Sequence, residues 1–97
     1  MINELQKDII INTIKPFHPV RIGIFGSEAR GENTKNSDID ILYLLKEPIG
    51  LFNIVRIKDR LEEKLNRKVD LVSEKYIHSE LRDHIMGDVK IIYSDEG

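Results

Sequence analysis

The chain has 97 residues, of which 40% are apolar and 33% are charged, and its formal net charge at neutral pH is −2. This composition excludes a disordered polypeptide and predicts one small globular domain spanning residues 1–97, with no general electrostatic attraction to nucleic acids or to anionic membranes. The sequence has no cysteine, so we expect no disulfide and no thiolate metal site, and this absence fits a cytoplasmic protein. It has no apolar run long enough to span a bilayer, so we expect no membrane helix.

The N-terminal part of the sequence predicts a helix followed by a strand. Apolar residues recur with a helical period between residues 2 and 15, which predicts an amphipathic helix. Pro16 and Pro19 end this helix and place a loop between the two elements. In the segment VRIGIF, residues 20–25, apolar side chains alternate with others, as is typical of a strand.

A polar passage separates this strand from a second one. Gly26 and Ser27 turn the chain into a short helix with the sequence SEARGE, and Ser27 is expected to cap that helix. The following segment, GENTKNS, is rich in turn-forming residues and predicts a loop. The second strand, IDILYLL at residues 39–45, is apolar on both faces after Asp40, which is typical of a central strand.

The rest of the sequence predicts a long helix, a strand, a short helix and a final strand. The long helix is predicted from Leu51 to about residue 66. The apolar residues that repeat along it are Leu51, Ile54, Ile57, Leu61 and Leu65. Most of its other positions are charged and are expected to face water. The short elements that follow are KVDLVS (68–73), HSELRDHIM (78–86) and VKIIYS (89–94).

The alternation of helices and strands predicts an α/β fold of the mixed α+β kind, with one central sheet flanked by helices. The loop between the first two strands is too short to contain a full crossover helix, so these strands are predicted to run antiparallel. We therefore expect a mixed β-sheet.

Two aspartates, Asp38 and Asp40, occur where the second strand starts, although aspartate is depleted in strands. Successive side chains of a strand point to opposite faces, so these two project together while Ile39 packs the other way. Adjacent carboxylates repel one another unless a cation lies between them, and hard oxygen ligands of this kind suit Mg²⁺. Asp70 on the third strand offers a third carboxylate if that strand lies beside the second; otherwise it simply faces water.

Gly26 and Ser27 form a turn that is suited to binding an anion beside these carboxylates. A glycine lets the backbone approach a ligand, and a helix N-terminus presents free N–H groups to an anion. A turn that binds anions beside carboxylates that bind cations is suited to a metal-bound nucleoside triphosphate. The alternative is an ordinary turn followed by residues that only cap a helix and a strand.

Gly26-Ser27, ten further residues, Asp38-Ile39-Asp40 and the later Asp70 resemble the signature of the polymerase-β-type nucleotidyltransferase superfamily. The segments GSEARG and SDIDIL are similar to those of its minimal members in bacteria and archaea. The resemblance implies the nucleotidyltransferase fold and nucleotidyl transfer from a nucleoside triphosphate, with two Mg²⁺ ions and release of pyrophosphate. It also implies that Gly26 and Ser27 hold the triphosphate, that Asp38 and Asp40 bind both metals, and that Asp70 shares one metal and helps to deprotonate the attacking hydroxyl.

The sequence allows two interpretations of Arg30 and two of Ser37. Arg30 either pairs with phosphates as a fork-shaped donor or is a solvated helix residue, and we include it with Gly26 and Ser27 among the candidate nucleotide-binding residues. Ser37 either orients Asp38 or is a plain loop serine.

The resemblance further implies a protein partner. Minimal nucleotidyltransferases are commonly encoded beside a HEPN-domain protein, an all-helical ribonuclease toxin, and act as its antitoxin by attaching AMP from ATP to a tyrosine. We therefore expect a protein adenylyltransferase that is the antitoxin of such a pair. One alternative is an antitoxin that neutralises its partner by binding alone. Another is a nucleotidyltransferase acting on an antibiotic, although such enzymes normally use a second domain to hold the substrate.

Overall fold

The predicted order of helices and strands is observed in the computed structural model, which describes residues 2–31 and 37–95. In chain order the elements are α1 (Glu4–Ile14), β1 (Pro19–Phe25), α2 (Ser27–Arg30), β2 (Ile39–Leu45), α3 (Leu51–Leu65), β3 (Val69–Ser73), α4 (Ser79–Asp88) and β4 (Lys90–Ser94). Most of the predicted loop GENTKNS lies outside the described residues. Within the described ranges, none of the helices combines the length and the apolar character needed to cross a membrane.

The four strands form one mixed sheet in the order β3-β2-β1-β4. β1 runs antiparallel to both β2 and β4, whereas β2 runs parallel to β3. The parallel pair is connected through α3, as parallel strands need a crossover, and the antiparallel pair has the short connection that predicted it. The predicted mixed sheet is therefore confirmed.

Helices α1 and α3 cover one face of the sheet and form the apolar core with it. The buried residues of this core include Ile10, Ile14, Ile22, Ile24, Ile39, Ile41, Ile57, Leu61, Leu65 and Val69. Ile39 and Ile41 of β2 both belong to it. Because side chains alternate along a strand, Asp40 between them points to the opposite face. The core thus sets the direction in which this aspartate projects.

The start of α3 departs from the predicted apolar stripe. Burial along this helix begins at Ile57, whereas Leu51 is 76% exposed and its neighbours Phe52 and Val55 are exposed as well. The helix packs on α1 and β3 through its later turns, so its first turn lies at the margin of that contact. The prediction that Leu51 belongs to the buried stripe is therefore wrong.

The predicted helix cap at Ser27 is also wrong. The N-cap of α2 is Gly26, Ser27 is the first helical residue, and no side-chain hydrogen bond caps this end. Helical hydrogen bonding starts at the Gly26 carbonyl, which accepts a bond from the Arg30 amide at 3.1 Å. The backbone of Gly26 has a φ of 71°, which glycine adopts without the strain that a side chain would add. The capping position is thus taken by the residue before the serine.

Candidate active site

Three separate segments of the chain meet at one end of the sheet. β1 ends at Phe25, directly before Gly26, and its antiparallel pairing with β2 puts Phe25 opposite Asp40. β3 runs parallel to β2 and begins at the same end, which puts Asp70 opposite Asp40. The strand of Asp70 therefore does lie beside the second strand, which is the condition for including Asp70 in the cluster.

Asp40 is the most enclosed of the three candidate aspartates. It is half-buried, whereas Asp38 and Asp70 are exposed. Burial raises the pKa of the Asp40 carboxyl above its usual 3.8, and the negative charges of Asp70 and then Asp38 raise it further. The positive charge of Arg30 acts in the opposite direction. Asp70 and Asp38 are thus both close enough to Asp40 to influence its carboxyl electrostatically.

Gly26 approaches the Asp40 side chain so closely that a larger residue does not fit. A Cβ atom at position 26 would lie 2.2 Å from Asp40 Oδ2, far inside van der Waals contact. The backbone of Gly26 also has φ 71° and ψ −148°, a combination found essentially only for glycine. Two independent constraints therefore require glycine at the position where the sequence predicted a close approach of the backbone.

Helix α2 places Ser27 and Arg30 beside this contact. Ser27 is half-buried in the first turn. Arg30 forms an ion pair with Asp88 at the end of α4, with 2.6 Å between Nη1 and Oδ2, and 42% of its side chain is exposed. Its charge also acts on the Asp40 carboxyl. Arg30 is therefore more than a solvated helix residue, and a phosphate at this position would have to share it with Asp88 or displace Asp88.

Two residues that the sequence analysis did not single out, Glu28 and Arg67, lie beside the candidate site. Glu28 in α2 is buried, and its carboxylate forms an ion pair with the Arg67 guanidinium. Arg67 Nη2 also donates a hydrogen bond to the backbone carbonyl of Ser37 at 2.5 Å. Ser37 is thus held by Arg67 through its backbone carbonyl. An acidic residue in the first turn of a helix is common, so Glu28 gave no distinctive signal in the sequence.

The ligand atoms at this edge of the sheet suit a hard divalent cation. Aspartates supply only oxygen ligands, and a cation would relieve the repulsion from Asp70 and Asp38 that, after burial, raises the pKa of Asp40. In residues 2–31 and 37–95, no three acidic or histidine side chains already converge on one ion position. Asp38 and Asp70 are both exposed, so their side chains have room to turn toward an ion beside Asp40. The oxygen ligands present therefore suit such a cation, and an ion bound beside Asp40 would draw Asp38 and Asp70 toward it.

Comparisons with known proteins show the family of this sequence. Residues 7–97 match the family described as polymerase beta, nucleotidyltransferase. A protein of Methanocaldococcus jannaschii, named as a candidate protein adenylyltransferase, is 43% identical over 88 residues, which cover 90% of this chain and 92% of that protein. The family and this relative thus span most of the sequence.

Two solved structures share the fold. A candidate minimal nucleotidyltransferase has a TM-score of 0.77 at 31% identity, covering 89% of this chain and 88% of that chain. The second is a complex described as a tri-AMPylated Shewanella oneidensis HEPN toxin with an MNT antitoxin. It has a TM-score of 0.78 at 21% identity, covering 98% of this chain and 75% of that chain. The small mixed α/β fold is therefore the nucleotidyltransferase fold.

Replacing Gly26 with alanine should destabilise the protein and displace Asp40. The added Cβ would collide with Asp40 Oδ2, and the positive φ adds strain, so we expect a loss of about 1–3 kcal/mol in the free energy of unfolding measured with urea. The control is Gly87→Ala, because Gly87 lies in α4 with open space around it and should be stabilised by roughly 0.5–1 kcal/mol. Equal stability of Gly26→Ala and wild type would contradict the close contact.

Replacing Asp40 with asparagine should stabilise the metal-free protein at neutral pH. Because the folded-state pKa of Asp40 is raised, stability falls as the pH climbs from the usual 3.8 through that raised value. An amide of nearly the same shape avoids this loss. In EDTA the melting temperature of Asp40→Asn should exceed that of wild type near neutral pH, and the difference should shrink toward about pH 4. A lower melting temperature for the variant at neutral pH would show instead that Asp40 stabilises the fold.

Proposed function

The chain belongs to the polymerase β nucleotidyltransferase family, and we propose that it transfers AMP from ATP to a tyrosine hydroxyl of a HEPN-domain toxin, acting as that toxin's antitoxin. The observation that carries this proposal is the pairing of Asp40 with Asp70, beside a glycine turn that approaches Asp40. Nucleotidyl transfer needs carboxylates for metal ions and a turn for phosphates at one place. The relative from Methanocaldococcus jannaschii supports AMP as the transferred group.

Gly26 and Ser27 are proposed to hold the triphosphate of ATP. Gly26 has no side chain, so the backbone N–H groups of this turn can approach phosphate oxygens closely. Arg30 would contribute a guanidinium, whose planar fork suits a phosphate. Its present partner, Asp88, would share the guanidinium with the phosphate or be displaced by it.

Asp38 and Asp40 would hold two Mg²⁺ ions, and Asp70 would share one of them. When bound, these ions would supply neutralisation of the negative charge on the transferred phosphate and on the departing pyrophosphate. Asp70 has a second proposed role, because its exposed carboxylate can accept the proton of the attacking tyrosine hydroxyl. The tyrosine oxygen bonds to the α-phosphorus, the bond from that phosphorus to pyrophosphate breaks, and AMP remains on the toxin.

The proposed acceptor is supported by the Shewanella oneidensis complex, in which the HEPN toxin is AMPylated and the MNT antitoxin is bound to it. That antitoxin has the same fold as this chain. An antitoxin that acts by binding alone is the competing proposal. The two proposals differ in whether the carboxylates at positions 38 and 40 are needed for neutralisation.

With Mg²⁺ and its HEPN partner, the protein should move label from α-labelled ATP onto the partner and release pyrophosphate. Asp40→Ala should lower the rate of transfer by about 100-fold or more, on the scale of losing one electrostatic stabiliser. The matched control is Asp59→Ala, because Asp59 is an exposed acidic residue of α3 on the other face of the sheet. Its rate should equal that of wild type.

Label that reaches the partner from γ-labelled ATP, in place of the α position, would contradict nucleotidyl transfer. Equal losses in Asp40→Ala and Asp59→Ala would contradict the special role of Asp40.

In cells that express the HEPN partner, the double variant Asp38→Ala with Asp40→Ala should fold but fail to relieve toxicity. The reason is that both proposed metal-binding carboxylates are removed from one edge of the sheet while the apolar core is unchanged. Growth is measured at matched protein abundance, with Asp59→Ala as the control. Full rescue by the double variant would favour the antitoxin that acts by binding alone.

A further inference from the structure

A buried ion pair joins α2 to the segment between α3 and β3. The Glu28 side chain is fully buried, the Arg67 side chain is 14% exposed, and their charged groups are in direct contact. Glu28 follows Ser27 in the sequence, so this contact anchors the turn before α2. Arg67 lies shortly before β3, the strand that carries Asp70. The pair therefore connects two of the three segments that form the candidate site.

The same guanidinium also contacts the segment that leads into β2. Arg67 Nη2 donates a hydrogen bond to the Ser37 carbonyl at 2.5 Å, and Asp38 is the next residue. Beside this contact the Ile39 amide donates to the Lys68 carbonyl at 2.9 Å, so the two backbone segments are paired directly as well. One arginine side chain thus connects α2, the start of β2 and the approach to β3.

A contribution to the stability of the fold does not by itself explain why this ion pair is present. Moving two charges from water into a protein costs several kcal/mol, which a buried pair repays only when its hydrogen bonding is complete. Among the residues that the structure describes, Arg67 Nε is buried and has no hydrogen-bond partner. Well-packed apolar residues are often as stabilising as such a pair, or more so. The geometry that the pair imposes is therefore the better explanation for its presence.

We propose that Arg67 and Glu28 are positioning residues that set the spacing between the Gly26-Ser27 turn and the Asp38-to-Asp40 segment. The inference rests on the proposed function, because this spacing aligns the triphosphate with the carboxylates. In this role each side chain acts through the backbone of its neighbours, and the charge of Glu28 also reaches Asp40, where it adds to the effects of burial, Asp70 and Asp38 in raising the pKa of that carboxyl. A misplacement of about 1 Å can lower a rate on the order of 100-fold. Loss of the ion pair should therefore lower kcat more than it weakens nucleotide binding.

The test replaces both members of the pair with methionine, an unbranched apolar residue that can fill the space. The variant Glu28→Met with Arg67→Met should melt at or above the wild-type temperature. Its kcat for AMP transfer should fall by about 10- to 100-fold, with a smaller change in KM for ATP. Hydrogen exchange of the Arg30 amide, which donates to the Gly26 carbonyl, should become faster because the turn is no longer anchored.

A second arginine–glutamate pair provides the matched control. Arg21 on β1 and Glu74 after β3 are joined by two hydrogen bonds, Nε to Oε1 at 2.7 Å and Nη2 to Oε2 at 2.5 Å. Arg21 lies at the far end of β1 from Phe25, about 13 Å from the site end of the sheet. Arg21→Met with Glu74→Met should leave both kcat and the exchange of the Arg30 amide close to wild type.

Wild-type kcat and wild-type exchange in the Glu28→Met, Arg67→Met variant would overturn the positioning role. If that variant does not fold, Arg67→Lys decides, because lysine keeps the charge but replaces the planar fork with a single point donor. A wild-type kcat in Arg67→Lys overturns the role, and a selective loss of kcat supports it. If wild type and the Arg21→Met, Glu74→Met control both transfer no AMP, the proposed function has failed, and exchange of the Arg30 amide still tests the anchoring.

Discussion

The pairing of β2 with a strand on each side is the constraint on which the candidate site depends. β1 runs against β2 and ends where β2 begins, so the chain turns at Gly26 next to Asp40. β3 runs with β2 and begins at the same edge, so Asp70 lies opposite Asp40. A shift of either strand by one residue would turn its side chains to the other face. The register that buries the apolar core therefore also fixes where the chemically important groups stand.

At this edge the fold and the chemistry make opposite demands on the same residues. Asp40 is half-buried near two other carboxylates, and its pKa is raised as a result. An uncharged side chain would suit the fold better. The apolar core on the other face of the sheet, formed with α1 and α3, offsets this unfavourable charge cluster. The sheet thus separates two tasks, since one face stabilises the protein and the other carries groups whose repulsion a cation would relieve.

The sequence predicted those features that follow from local rules. Alternating apolar residues located the strands, and the short first connection predicted the antiparallel pair. The prediction at Leu51 failed because tertiary packing overruled the helical period there. The prediction at Ser27 failed because the backbone conformation of Gly26 overruled the capping preference of serine.

The contact between Glu28 and Arg67 could not be predicted, since its members are far apart in the chain and each alone resembles an ordinary surface charge. Long-range side-chain pairs leave no local pattern.

The close approach of Gly26 to Asp40 makes these two positions dependent on each other in evolution, but not equally. A side chain at position 26 would push directly into the carboxylate, so one mutation there would damage both parts of the site. Loss of the carboxylate at position 40 leaves the glycine undisturbed, and its backbone conformation still requires glycine. In a lineage that no longer needs the activity, Asp40 is therefore free to change before Gly26 is. A descendant that keeps the glycine turn but has lost the aspartate is the expected first stage of decay.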